Sequence, residues 1–80
     1  MNAQADLAVL LDALSENEQT VLRLRFGLNG EEPMTLDAIG KRMGLTRERV
    51  RQIEAAGLKK LRGLLASRGI NAKDLFPPNE

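Results

Sequence analysis

The chain reads as all-α, a domain of four to five helices ending in a helix-turn-helix. Three observations lead there. Leucine, isoleucine and valine recur at helical spacing in four separate stretches, and none alternates with polar residues as a half-buried strand would. Three of these stretches begin at a serine or threonine suited to capping a helix start. Two of them, the second longer than the first, meet at Met43-Gly44-Leu45-Thr46, a glycine-bearing turn between capped helices.

Leu7, Leu10, Leu11 and Leu14 predict a first helix over Ala3–Leu14. Ser15 and Glu18 form Ser-x-x-Glu, in which each side chain can satisfy a free backbone N–H of the other residue. The second helix runs from there to Phe26, with Val21, Leu22 and Phe26 inward, and Gly27 follows at its C-terminal cap. Residues 27–34 read as a loop. Thr35 caps a short helix with Leu36, Ile39 and Met43 inward; Gly44 ends it, Leu45 plugs the turn and Thr46 caps the next. The last long helix, Arg47–Ala66, has Val50, Ile53, Leu58, Leu61, Leu64 and Leu65 as its seam. Gly57 falls on that seam, which predicts close packing against another helix. Gly69 is expected to stop the helix, and Asn71 to cap a short turn through Phe76 before Pro77 and Pro78.

Eighty residues, 42% hydrophobic and 29% charged, suit one domain with a modest, aliphatic core, since Phe26 and Phe76 are the only aromatics. With no cysteine there is no disulfide framework or zinc ribbon, and with no histidine the commonest general base and metal ligand is missing. An enzyme is therefore the least favoured class, and neither cofactor nor metal is expected. No basic stretch followed by an apolar run opens the chain, and no segment is long enough to span a bilayer, so a cytoplasmic protein without membrane association is expected.

The net charge of +1 conceals an asymmetry: residues 1–34 carry −4 and residues 35–80 carry +5. Residues 41–68 hold nine Lys or Arg against Glu48 and Glu54. A basic stretch inside a foldable segment suits a polyanion partner, although a solvated helix face has the same composition. With Val50 at the centre of the buried face, 100° per residue puts Glu48, Arg51, Gln52, Ala55, Lys59 and Arg62 opposite or beside it, with Arg47 at the exposed N-terminal end. Arginine forks onto guanine, glutamine onto adenine, and glutamate accepts from the cytosine amino group. Thr46 and the amides around Leu36 suit phosphates, because helix N-termini attract anions; Arg51, Lys41 and Arg42 add backbone charge. The alternative is an ordinary surface in which Glu48 pairs with Arg51 or Gln52. Glu54, at the margin of the seam, is expected to pair internally with Arg23 or Arg25. Lys59, Lys60 and Arg62 read equally as solvated surface or as a phosphate- or protein-binding patch.

Thr35-Leu36-Asp37-Ala38-Ile39-Gly40-Lys41, followed by Leu45-Thr46-Arg47-Glu48-Arg49-Val50-Arg51-Gln52-Ile53-Glu54, resembles region four of the sigma-70 family. Val21-Leu22-Arg23-Leu24-Arg25-Phe26-Gly27-Leu28 is similar to the first segment of that region, so the likeness covers roughly residues 14–66. It implies a helix-turn-helix of the region-four type, winged-helix-like but without a wing. The layout would be a helix or linker over 1–14, the first segment over 15–34, the helix-turn-helix over 35–66 and a tail over 67–80.

The resemblance also implies recognition of the minus-35 promoter element in double-stranded DNA as part of RNA polymerase holoenzyme, in the bacterial cytoplasm on the nucleoid. Arg47, Glu48 and Gln52 would read bases. Leu36, Lys41, Thr46 and Arg51 would lie at the phosphate backbone, so that losing Arg51 weakens binding evenly across sequences. Residues 15–30 would pack on the flap of the polymerase beta subunit. Lys59, Lys60 and Arg62 would meet activators; anti-sigma factors are further expected partners, and the isolated chain is expected to be a monomer. Leu64-Leu65-Ala66-Ser67-Arg68-Gly69-Ile70-Asn71 with Leu75-Phe76 is similar to the ending of stationary-phase or general-stress sigma factors. Asn17 and Ala56 depart from the primary pattern, which has arginine and lysine there. The competing readings are a stand-alone helix-turn-helix regulator and a module that binds only protein.

Overall fold

The computed structural model describes residues 9–28, 30 and 32–69. The first helix expected over residues 3–14 lies outside the described residues as far as residue 8. Its described end is helical at residues 9–11 and then tightens: the backbone N–H groups of Asp12, Ala13 and Leu14 donate to the carbonyls of Val9, Leu10 and Leu11, three residues back. The turn expected over residues 71–76 and the end of the stress-factor-like tail also fall outside the described residues.

Three complete helices follow: α1 (Glu16–Phe26), α2 (Leu36–Met43) and α3 (Arg47–Ala66). Each starts where a hydroxyl replaces a missing intrahelical acceptor. Ser15 Oγ accepts from the Glu18 N–H at 3.2 Å while the Glu18 carboxylate accepts from the Ser15 N–H at 3.0 Å, the reciprocal box the sequence predicts. Thr35 Oγ1 takes the Ala38 N–H and Thr46 Oγ1 the Arg49 N–H. Helices α1 and α2 end alike. Gly44, at φ 72°, turns its N–H onto the Gly40 carbonyl, which also accepts from Leu45 at 2.8 Å; Gly27 and Leu28 converge on the Arg23 carbonyl in the same way. A side chain with a Cβ resists that left-handed conformation, and this is why glycine stands at position 44. Helix α3 runs down through a tight turn, Arg68 N–H to Leu65 O and Gly69 N–H to Ala66 O, and stops at the left-handed Gly69.

The buried side chains form two clusters that share α1 and α3. Leu10, Leu11 and Leu14 meet Leu22 of α1 and Leu61 and Leu65 of α3, with Phe26, Leu28, Leu58 and Leu64 around them. Val21 of α1 meets Leu36 and Ile39 of α2 and Val50 and Ile53 of α3, with Leu24, Met34, Met43 and Leu45 around them. The adjacent residues Val21 and Leu22 thus serve different clusters. Each fully buried leucine or valine contributes about 1.5–3 kcal/mol. Of the predicted inward residues, Phe26, Met43, Leu58 and Leu64 are only half-buried, because they sit at the rims of these clusters.

Helices α1 and α3 cross at Gly57, as the seam position predicts. A Cβ there would stand 3.2 Å from Leu22 Cδ1 and 3.4 Å from Glu18 Cβ. Above the crossing, Arg25 Nε donates to Glu54 Oε2 at 2.9 Å and Arg25 Nη1 to the Met34 carbonyl at 3.0 Å. The Met34 N–H in turn reaches the Leu24 carbonyl, so α1 holds the end of the loop on both faces of one residue. Glu54 therefore has the internal arginine partner that its place beside the seam predicts, and it is Arg25.

A tighter approach lies inside the helix-turn-helix. A Cβ on Gly40 would come within 2.6 Å of the Leu45 carbonyl oxygen, a main-chain atom that no rotamer change can withdraw. Gly63, exposed in α3, has nothing within 4 Å of such a Cβ. In urea titrations Gly40→Ala is expected to destabilise the chain by about 1–2 kcal/mol, since overpacking outweighs the gain in helix propensity. Gly63→Ala is expected to stabilise it by roughly 0.5–1 kcal/mol. Shifts of the same sign in both variants would remove the close approach as the reason for Gly40.

Candidate nucleic-acid interface

Because Val50 and Ile53 are buried against α1 and α2, the helical period turns the residues between and beside them outward. Arg47, Glu48, Arg49, Arg51 and Gln52 are all exposed, on the first two turns of a helix whose start is capped by Thr46. Ala55, Lys59 and Arg62 continue the same face. At 1.5 Å per residue the rod is roughly 30 Å long. Of the three candidate base readers, Glu48 and Gln52 thus share one face, and Arg47 stands exposed at the same end of the helix, about 60° from Val50 around its axis.

These side chains are not independent of one another. Arg51 Nε donates to Glu48 Oε1 at 2.8 Å and Arg51 Nη2 to Glu48 Oε2 at 2.7 Å, a two-point fork between residues three apart. Arg49 Nη1 reaches Gln52 Oε1 at 3.4 Å. The Arg51 hydrogen bonds hold the Glu48 carboxyl below its ordinary pKa against desolvation, the next largest effect, with further help from the Arg51 charge, Gln52 and Arg47. The Glu48 carboxylate likewise pushes the Arg51 guanidinium up. Glu48 lies in the first turn of α3, where the helix dipole also favours an anion.

The backbone candidates divide by what each side chain does in the fold. Thr46 is exposed; its oxygen accepts the cap hydrogen bond, and its hydroxyl proton is available to a phosphate. Lys41 is exposed and lies 3.3 Å from Asp37, one turn earlier on α2. Leu36 differs: its side chain is in the core, so only its main-chain N–H, outside the intrahelical ladder at the start of α2, can meet an anion. Arg51 is committed to Glu48 rather than extended alone.

The cationic trio near the end of α3 is also divided. Lys59 and Arg62 are exposed. Lys60 Nζ instead donates to both oxygens of Glu18, at 3.0 and 3.1 Å, across the α1–α3 crossing. Glu18 is the buried charged residue among those described. Burial pushes its carboxyl up. The Ser15 N–H, the Lys60 ammonium and the Ser15 hydroxyl together outweigh that and hold it below the ordinary glutamate value. No sequence signal reveals this pair, since its members lie 42 positions apart. Gly40 also escapes sequence reasoning, although its spacing of four from Gly44, across the turn, is a usable signal. Among the described residues no group of three or more His, Cys, Asp or Glu could hold a metal ion, and no helix is long and apolar enough to cross a membrane.

A family model described as sigma-70, region 4 matches residues 10–63. The RNA polymerase sigma factor SigA of a Bacillus species is 58% identical over 53 residues, which are 66% of this chain and 14% of that protein. The aligned part of the chain thus spans a small fraction of the length of the relative it matches.

The Glu18 carboxylate has a lowered pKa in the folded state, so the stability it contributes is present above the unfolded value and lost as pH falls through the folded one. In urea titrations carried from neutral pH to below 4.5, the parent chain is expected to lose more stability on the acid limb than Glu18→Gln. Parallel curves for the two would show that the pair with Lys60 does not favour the ionised form.

Proposed function

This chain belongs to the sigma-70 region 4 family, and we propose that it reads the minus-35 element of promoters during transcription initiation, as the DNA-binding end of a sigma factor in RNA polymerase holoenzyme. Its role is binding and positioning, with no catalysis of its own. The observation that carries this reading is the geometry at the start of α3: Val50 and Ile53 are buried behind, Glu48 and Gln52 are exposed in front, and Arg47 is exposed at the tip, within two turns of a capped helix end.

The start of α3 enters the major groove, which admits a helix and displays a distinct donor and acceptor pattern for each base pair. Arg47, at the tip, donates to guanine O6 and N7. Glu48 accepts from a cytosine amino group. The Gln52 amide pairs with adenine or caps a neighbouring base edge. Thr46, the Leu36 N–H and Lys41 bind phosphates on the flanking backbone and fix the register of the helix. Residues 15–30 dock on the polymerase beta flap, with the half-buried Leu24, Phe26 and Leu28 as the apolar side chains partly open to a partner there. Lys59 and Arg62 suit acidic activator surfaces; the internal tie of Lys60 to Glu18 makes it the weakest member of that patch.

Fluorescence anisotropy with minus-35 duplexes, each carrying one substituted base pair, tests the assignment. Arg47→Ala and Glu48→Ala are each expected to relax preference at one base position by about 5- to 150-fold while sparing the others. Binding of the parent chain should weaken linearly in log–log form as salt rises, because phosphate contacts release counterions. Base preference left intact in both variants would defeat the groove placement. Binding without salt dependence would favour a module that meets only protein.

A further inference from the structure

We propose that Arg51 is a positioning residue for base reading: its guanidinium holds the Glu48 carboxylate in the orientation that selects one base. This rests on the reading of Glu48 as a base contact and changes the expected part of Arg51, which as a phosphate contact alone would contribute equally on every sequence.

The geometry makes the fork specific. Both donors of the guanidinium edge engage, one on each carboxylate oxygen, at 2.8 and 2.7 Å. Two-point pairing fixes the plane of the carboxylate as well as its place, which a single contact cannot do. A carboxylate offers about four lone-pair sites, and the fork occupies two, so acceptor positions remain for a cytosine amino group. Both side chains are more than half exposed, so the pair contributes little to the fold. Its consequence lies in the partner it prepares for.

Charge gives the second reason. Duplex DNA carries one negative charge per roughly 1.7 Å of axis, and a bare carboxylate entering the groove is repelled by that field. Arg51 cancels the charge of Glu48 at contact distance while leaving acceptor capacity in place. If Arg51 moved to a phosphate, Glu48 would stand unneutralised among anions. The arrangement that keeps Glu48 in the groove is the one already formed in the free chain.

The test is a cycle of variants of the full 80-residue chain: Arg51→Lys, Arg51→Ala, Glu48→Ala and the two double variants, on the matched duplex and on each single-base substitution. Glu48→Ala first identifies the position that Glu48 reads. Arg51→Lys, which keeps the charge and loses the fork, is expected to reduce discrimination at that position about five- to tenfold. Discrimination elsewhere should hold, and Arg51→Lys should add no further loss in the Glu48→Ala background. Uniform loss of affinity with discrimination intact would overturn the proposal and leave Arg51 a phosphate contact. Loss of discrimination that persists without Glu48 would overturn it as well. If Glu48→Ala alone relaxes no position, the base-reading role itself fails, and the proposal with it, before Arg51 is altered. The Arg51 Nε–H resonance supplies a readout without DNA: it should be slowed in solvent exchange in the parent chain and released in Glu48→Ala. Equal exchange in both would show that the fork is not held in solution.

Discussion

The main chain of Gly40 lies against the carbonyl of Leu45, and that contact fixes the direction in which α3 leaves α2. Gly44 reverses the chain in a conformation other residues resist, and the Gly40 carbonyl gathers the N–H groups of both Gly44 and Leu45. Two glycines four apart therefore perform different tasks in one turn: one yields space, the other yields an angle. With the turn set, Leu45 packs beside Ile39 and Val50, and the buried face of α3 is no longer free to rotate. The outward placement of Glu48 and Gln52 is a consequence of that constraint, reached through the helical period rather than through any contact of their own with the core.

Helix α1 holds this unit from behind. It crosses α3 at Gly57, where the missing side chain lets Leu22 and Glu18 approach, and it is tied on either side of the crossing. Arg25 links Glu54 to the end of the loop before α2, and Lys60 closes over Glu18. Both ties join groups that are largely shielded on at least one side, Arg25 and Glu54 at 16% and 17% side-chain exposure and Glu18 at 10%. Such pairs are weak sources of net stability but penalise any arrangement that separates them. Their effect is to select one packing of α1 on α3, and through it one presentation of the outward face.

Local features were legible in the sequence because their causes are local. The Ser15–Glu18 box, the threonine caps at 35 and 46 and the glycine end at 44 each follow from residues within four positions. The seam of Val50, Ile53, Leu61 and Leu65 follows from period alone, and so does the exposed row from Glu48 to Arg62. What the sequence left open depends on which helices meet. The charge pattern cannot choose Arg25 over Arg23 for Glu54; the Met34 carbonyl beside it can. Lys60 looked like the neighbour of Lys59 and Arg62 because all three are basic, yet it turns toward α1 and they do not. The fork of Arg51 onto Glu48 was visible as a possible i,i+3 pair, but as a rival to DNA reading. The geometry makes the two compatible, since a forked carboxylate still has lone pairs to offer.

The same pairings bear on how tightly such a domain can hold DNA. Lys41 faces Asp37, Arg51 faces Glu48, Arg25 faces Glu54 and Lys60 faces Glu18. Each of these cations already has a counter-charge from the chain, so each releases fewer condensed ions on binding than an unpartnered one. Under the proposed function, sequence-independent attraction then falls mainly to exposed cations outside these pairs, such as Arg47, Lys59 and Arg62, and base contacts carry the discrimination. A reader built this way gains occupancy from tethering: attachment to a larger enzyme raises its effective concentration beside the element without any new contact to DNA. The counter-charges of Lys41 and Arg51 thus trim the sequence-independent part of the affinity on the proposed DNA-facing side and leave discrimination to the base readers.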